Sequence, residues 1–273
     1  MLILSIPSPA QGVWQLGPVP LRAYAIMIVI GIVLAVWWGR QRWVEKGGAA
    51  SDIEELAVYA VPAGIIGGRL YHVVTDWQIY FGPDGRGVLG ALRIWDGGLG
   101  IWGAIALGFA AAAWYARRRG WSISALADAL APGIVLAQAI GRLGNWFNQE
   151  LFGAPTTLPW GLEIDVANRP SGYESFTTFH PTFLYELLWN LAVAAALVLA
   201  ERRWRLAHGQ VFALYVLLYC TGRVWIESLR IDTVNHLLGL RLNVFTSLLV
   251  GLAAGLWLWR SRARHGGHTS PIG

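Results

Sequence analysis

Arg142 follows an uncharged run from Ala129 to Gly141, and Asn145, Asn148, Gln149 and Glu150 come directly after it. An arginine near the middle of a bilayer costs about 2.5–3.5 kcal/mol, so a membrane helix that keeps one gives it a partner or a task. Its planar donor fork suits a phosphate or a carboxylate. A second stripe, Tyr219, Arg223, Glu227 and Arg230, is spaced four, four and three residues apart, which places all four on one helical face. The pair Arg223 and Glu227 can neutralise itself at that spacing, but Tyr219 and Arg230 extend the stripe beyond what neutralisation needs. Gln138, Arg142, Asn145 and Gln149 repeat the design, and Arg69, His72 and Asp76 add a third stripe. Three arginines set against Glu150 and Glu227, the two carboxylates expected at that depth, leave room for one anion. In a cavity open to the bilayer, a lipid phosphate fits that description. His72, His180, His208 and His236 occur singly and no HExxH pattern is present, so neither a metal nor another cofactor is expected.

The elements that must carry these stripes are transmembrane helices. The chain of 273 residues is 55% hydrophobic and 14% charged, against roughly a quarter charged in soluble domains. Apolar stretches long enough to span a bilayer of about 30 Å predict seven helices. They cover 23–43, 54–74, 97–116, 125–146, 181–201, 209–228 and 242–259. Arg40, Arg42, Lys46, Arg117 to Arg119, Arg202, Arg203, Arg205, Arg260, Arg262 and Arg264 follow the odd-numbered helices. Fewer basic residues (Arg22, Arg86, Arg93, Arg169, Arg230 and Arg241) occupy the other side, so the N-terminus is expected outside and the C-terminus in the cytoplasm. The net charge of +5 therefore reads as membrane topology, not as a nucleic-acid surface. On this orientation Arg69, Arg142 and Arg223 all lie toward the outer ends of their helices.

The fold expected is an all-α integral membrane protein with one catalytic domain over 1–260 and a disordered cytoplasmic tail over 261–273. The outer segments 75–96 and 147–180 exceed ordinary turns; the first can lie at the interface, and the second, through Pro159 to Ile164, can form a strand in a small extracytoplasmic cap. Residues 1–21 lack Lys and Arg, unlike the basic start of a cleaved signal peptide. Trp37, Trp38, Trp43, Trp257 and Trp259 suit a cytoplasmic interfacial belt, and Cys220 suits helix packing.

The run Gly141-Arg142-x-Gly144-Asn145-Trp146-x-Asn148-x-Glu150-x-x-Gly153 closely resembles the signature of bacterial prolipoprotein diacylglyceryl transferases. The resemblance extends to Arg22-Ala23-Tyr24, Gly67-Gly68-Arg69, Gly97-Gly98-Leu99, His180-Pro181 with Tyr185-Glu186, and Tyr219-x-x-x-Arg223-x-x-x-Glu227. It implies a bacterial cytoplasmic-membrane enzyme, with its active site toward the outside. Such enzymes move diacylglycerol from phosphatidylglycerol to the lipobox cysteine of a preprolipoprotein signal peptide, and glycerol 1-phosphate is released. It further implies that Tyr24, Arg142, Asn145, Glu150, Gly153, Tyr219, Arg223 and Glu227 are functional. Arg142 and Arg223 are then expected to hold the phosphate, with Asn145 beside them. Asn148, His180, Gly97 and Gly98 join the substrate-binding set, together with Arg69, which can equally serve helix-end carbonyls or Asp76.

One position departs from the family pattern: Asp96 stands where well-known members have histidine before Gly-Gly-Leu. That histidine is a proposed base for the attacking thiol. A thiol of pKa near 8.5 needs a stronger base than an ordinary Asp near 3.9. Three sources of thiolate stay open: a desolvated Asp96, His180, or the field of the arginines. Asp96 can also N-cap the third helix. A transporter of anions or lipids is the rival reading, since arginine-lined cavities also serve permeation, but its polar lining would have to reach both sides.

Overall fold

The computed structural model describes residues 5–17, 19–204, 206–234, 236, 237 and 239–266. The apolar runs fold as α1 Ala23–Glu45, α2 Ala50–Thr75, α5 Ile101–Arg118, α6 Ile123–Asn148, α7 Thr182–Arg203, α8 Gln210–Leu229 and α9 Leu242–Gly266, with the short α3 Trp77–Phe81 and α4 Gly87–Leu92 between α2 and α5. Among the described residues, six of these are long and apolar enough to cross a membrane. The exception is α5, whose eighteen residues end in Arg117 and Arg118. Three two-stranded sheets complete the elements: β1 Val13–Leu16 with β2 Val19–Arg22, β3 Leu162–Glu163 with β4 Thr178–Phe179, and β5 His236–Leu237 with β6 Leu240–Arg241. Each pair is antiparallel. Val29, Val33, Leu199 and Leu252 point outward and exposed, as lipid-facing side chains do.

The chain divides into two compact units, residues 1–39 with 127–273, and residues 40–126. In the first, Ala131 and Val135 of α6, Val193, Ala194 and Leu197 of α7, and Val211 and Tyr215 of α8 form a buried apolar core. Its α7 and α8 meet where the Trp189 indole lies against Gly222 and donates to the Leu218 carbonyl at 3.0 Å. Buried Asp128 accepts from the backbone of Gly209 and Phe212 and so caps α8. Cys220 packs beside Gly251 between α8 and α9. The segment 147–180 carries the expected strand and folds as a cap of its own, with Phe152, Leu162, Ile164 and Phe179 packed against Phe183 of α7 and Ile6 bridging to Leu162.

In the second unit α2 and α5 run antiparallel with backbones nearly touching. A Cβ on Gly67 would meet the Gly103 carbonyl at 2.2 Å. Helix α5 begins four residues later than hydropathy suggests, because Gly97 and Gly98 take φ of +91° and +82° and cannot join a helix. Asp96 therefore closes a short 3-10 turn, Ile94–Asp96, and Gly100 is the N-cap, which corrects the expected capping role of Asp96. Trp43 is also no belt residue: it is buried and donates to Asp52 at 2.8 Å. The tail expected to be disordered from 261 continues α9 through Gly266, for lack of a helix breaker before Gly266 and Gly267; the rest of it lies outside the described residues.

Candidate active site

Arg142 and Arg223 meet on Glu186, a residue that stands in the family pattern but was not expected among the functional ones. Glu186, in the first turns of α7 and 4% exposed, places one carboxylate oxygen 3.1 Å from Arg223 Nη1 and the other 3.3 Å from Arg142 Nε. The Arg223 contact is an aligned hydrogen bond, whereas the Arg142 contact is an ion pair without hydrogen-bond alignment. Three helices, α6, α7 and α8, thus converge on one carboxylate. The expectation of only two carboxylates at this depth is corrected: Glu186 is a third. The available signal was an acidic residue starting an otherwise apolar span, just after His180-Pro181.

Glu227, fully buried one turn from Arg223, gathers four donors. Its Oε2 receives Arg223 Nη2 at 2.7 Å and Arg230 Nη1 at 3.2 Å; its Oε1 receives Arg241 Nε and Asn243 Nδ2, each at 3.1 Å. Asp232 accepts both forks of Arg230, at 2.7 and 2.8 Å, and Arg241 Nη2 at 3.0 Å. Burial pushes the Asp232 carboxyl up, but the Arg230 hydrogen bonds and the charges of Arg230 and Arg241 outweigh it and hold it below the usual carboxylate range. Sequence spacing found Arg230 and Glu227 together. Nothing local marked Asp232 and Arg241, which come from the segment joining α8 to α9, or Asn243 in the first turn of α9. Within this unit four arginines, 142, 223, 230 and 241, stand among four carboxylates, 150, 186, 227 and 232. The surplus of positive charge read from the sequence is therefore not found here. In a low-dielectric bundle each unpaired guanidinium is costly, and the fold pairs them.

The exit from α6 completes the cluster. Asn145 accepts from Arg142 Nη1 at 3.1 Å and donates to Glu150 at 2.8 Å; Asn148 donates to the same oxygen at 3.1 Å. Positive φ at two non-glycine residues, Gln149 (50°) and Leu151 (60°), turns the chain sharply here. The turn brings Glu150 back under Asn145, while Gln149 leaves its stripe to pair with Asp165 in the cap. Gly153 bridges Arg230 and donates its N–H to the His180 carbonyl, and a Cβ there would meet His180 Cβ at 2.8 Å. His180 Nδ1 lies 3.2 Å from the Tyr185 hydroxyl, which accepts from Trp160 at 3.1 Å. Tyr24 packs its ring on Gly144 within electrostatic range of Glu150 and Arg142, and Tyr219 lies within range of Glu186, Arg142 and Arg223. Arg142 is the more open of the bridged arginines, its side chain 23% exposed against 15% for Arg223.

The remaining expected site residues belong to the other unit. Arg69 directs its five N–H groups to five carbonyls: Nε to Ala91, Nη1 to Gly97 and Gly98, Nη2 to Gly90 and Arg93, at 2.5 to 3.0 Å. Of its two expected roles, the geometry matches service to carbonyls. Asp76 pairs with His72 at 2.7 Å instead. Asp96 is exposed, and its carboxylate makes no hydrogen bond or ion pair among the described residues.

Apolar spanning helices around arginines chained through carboxylates define a multi-pass membrane protein with a buried ionic site on its helices. A family model described as prolipoprotein diacylglyceryl transferase matches residues 11–260. A relative in Streptomyces coelicolor, named phosphatidylglycerol–prolipoprotein diacylglyceryl transferase 2, is 58% identical over 263 residues, covering 96% of this chain and 82% of its own length. Relatives with the same enzyme name are 57% identical in Streptomyces griseus (94% and 78% covered) and 55% identical in Cutibacterium acnes (96% and 88% covered). The chain belongs to the prolipoprotein diacylglyceryl transferase family and is a transferase.

Proposed function

We infer that the protein transfers the diacylglyceryl group of phosphatidylglycerol to the lipobox cysteine of a preprolipoprotein, the entry step of lipoprotein maturation. The observation that carries this reading beyond kinship is the Arg142–Glu186–Arg223 bridge. In the reaction a C–S bond forms at the glyceryl carbon as its C–O bond to phosphate breaks, and glycerol 1-phosphate departs. Negative charge moves from sulfur to phosphate, so donors fixed at the phosphate act most strongly in the transition state. Arg142 receives that phosphate through the Nη groups that Glu186 does not occupy, with Asn145 alongside. Glu186 and Glu227 hold Arg223 from two sides, so the fork needs no reorganisation when charge arrives. Tyr24 and Tyr219 donate to the glycerol or phosphate oxygens. Gly153 and Asn148 shape the wall beside Glu150.

The balanced charge of the network supports a base, not a bulk positive field, as the source of thiolate. His180 has the supporting arrangement: Nδ1 is oriented by the Tyr185 hydroxyl, leaving Nε2 to take the thiol proton. Asp96 has no partner among the described residues to orient it. Arg69 acts as a positioning residue that fixes the turn carrying Gly97 and Gly98.

The membrane arrangement inferred is seven crossings, with α5 as the third. Its support is the exposed apolar face of α5, Ile101, Ile105 and Phe109, and its close pairing along α2. An odd number of crossings agrees with the basic residues and puts the arginine bridge toward the outer side of the bacterial cytoplasmic membrane. The test is purified protein with phosphatidylglycerol and a lipobox peptide, read by peptide mass and glycerol phosphate release. Matched mass gain and release are expected; folded protein that shows neither would overturn the reading.

A further inference from the structure

The arginine bridge rests on buried polar atoms that no described residue satisfies. Arg142 Nε, Glu186 Oε1, and both Nδ2 and Oδ1 of Asn190 have no hydrogen-bond partner among the described residues. Asn190 is fully buried on α7, one helical turn beyond Glu186 and on the same face. Val193 and Ala194, the next turn of that face, already belong to the apolar core with Val135 and Tyr215. Asn190 therefore stands between the ion bridge and the dry interior. Its counterpart on α6, Gln138, lies one turn before Arg142 and accepts from the Tyr215 hydroxyl at 3.2 Å. On α8 Tyr219 holds the same level, one turn from both Tyr215 and Arg223.

An amide this deep carries the full desolvation cost of each unmet group, and low dielectric enlarges it. The unmet atoms are matched in kind: N–H donors on Arg142 and Asn190, oxygen acceptors on Glu186 and Asn190. Glu186 Oε1 and Arg142 Nε, 3.3 Å apart, are not aligned with each other, so each can still take a hydrogen-bond partner. A water molecule is the smallest species that accepts from such donors while giving protons to such acceptors, and buried waters commonly make about three such bonds.

We propose that Asn190 holds a buried water against Glu186 Oε1 and Arg142 Nε, and so acts as a positioning residue for the arginine bridge. The catalytic consequence rests on the function proposed above; the water itself does not. With the hydration site intact, Glu186 is fixed by bonds on both oxygens, and the Arg142 fork cannot rotate about its Nε contact. Without it, Glu186 is hydrogen-bonded at Oε2 alone, and Oε1 keeps only the unaligned ion pair with Arg142.

The test compares full-length wild type with Asn190→Leu, which matches the side chain in size, and Asn190→Ser, which keeps a hydroxyl and room for water. Asn190→Leu is expected to stay folded, with kcat for peptide modification falling about tenfold to a hundredfold. Its KM for phosphatidylglycerol should change far less, and Asn190→Ser should recover most of the rate. A wild-type structure at water-resolving quality should show density within hydrogen-bond reach of Asn190 and Glu186 Oε1. Wild-type rates in Asn190→Leu, or no density at that position, would overturn the proposal. Should Asn190→Leu misfold, Asn190→Ser and the wild-type density still decide it. A wild type that transfers nothing would sink the functional reading alone, leaving the density to judge the water.

Discussion

Glu227 is the residue on which the ionic network depends most, because three guanidinium groups share it. Removing it in Glu227→Ala leaves Arg223, Arg230 and Arg241 partly unpaired in a buried setting, a loss expected at about 3–5 kcal/mol. A large drop in the melting temperature of detergent-solubilised protein would register it. Arg223 is demanding in a different way. Its two Nη atoms reach Glu186 and Glu227 separately from one rigid planar fork, a geometry that the single nitrogen of an ammonium group does not reproduce. Arg223→Lys is therefore expected to fold yet lose about 10²–10³ in kcat; a fully active variant would remove the bidentate argument. The base is decided by two substitutions read together. His180→Gln should lower kcat by about 10²–10⁴ while Asp96→Asn keeps near-normal transfer. The opposite pattern would return the base to Asp96.

Helix contacts set where those residues can stand. Trp189 lies so close to Gly222 that a Cβ there would fall 2.1 Å from its indole nitrogen. Gly222→Ala must push α7 away from α8 beside the Glu186–Arg223 contact, so activity should fall more steeply than thermal stability, compared in parallel assays. The segment joining α8 to α9 is tied down by Asp232, whose folded-state pKa is depressed. A depressed carboxylate contributes stability that is present above its unfolded value, about 3.9, and is lost as pH falls through the folded one. That latch should hold through neutral and mildly acid pH and release only below about pH 4. Asp232→Asn should lower stability at pH 7 and flatten the acid limb of the stability profile; an unchanged acid limb would show the latch lies elsewhere.

At the scale of the whole molecule the question is how the chain is threaded. The seven crossings proposed above would put the turn between α1 and α2 inside and the β3–β4 cap outside. Because Cys220 is buried, single added cysteines give clean reporters. Exposed Ser171→Cys should react with a membrane-impermeant maleimide in intact cells, and exposed Ser51→Cys only after permeabilisation. Labelling of both from outside would break the topology. All seven apolar runs were legible as helices because hydropathy over about 20 residues is a local property, and six of them are long and apolar enough to cross a membrane. What hydropathy missed in α5 was its start, since it does not register the positive φ of Gly97 and Gly98.

The sequence by itself determined the membrane class, the helix positions to within a few residues, and the family. It also marked Arg142, Arg223 and Glu227, because unpaired charge inside apolar runs is conspicuous and helical spacing puts such residues on one face. Only the tertiary structure decided who neutralises whom. Glu186 reaches Arg223 across 37 positions, and Arg69 reaches carbonyls more than 20 residues away. Such partners are chosen by helix packing, where an unmet charge or amide is costly. No periodicity along the chain records that choice.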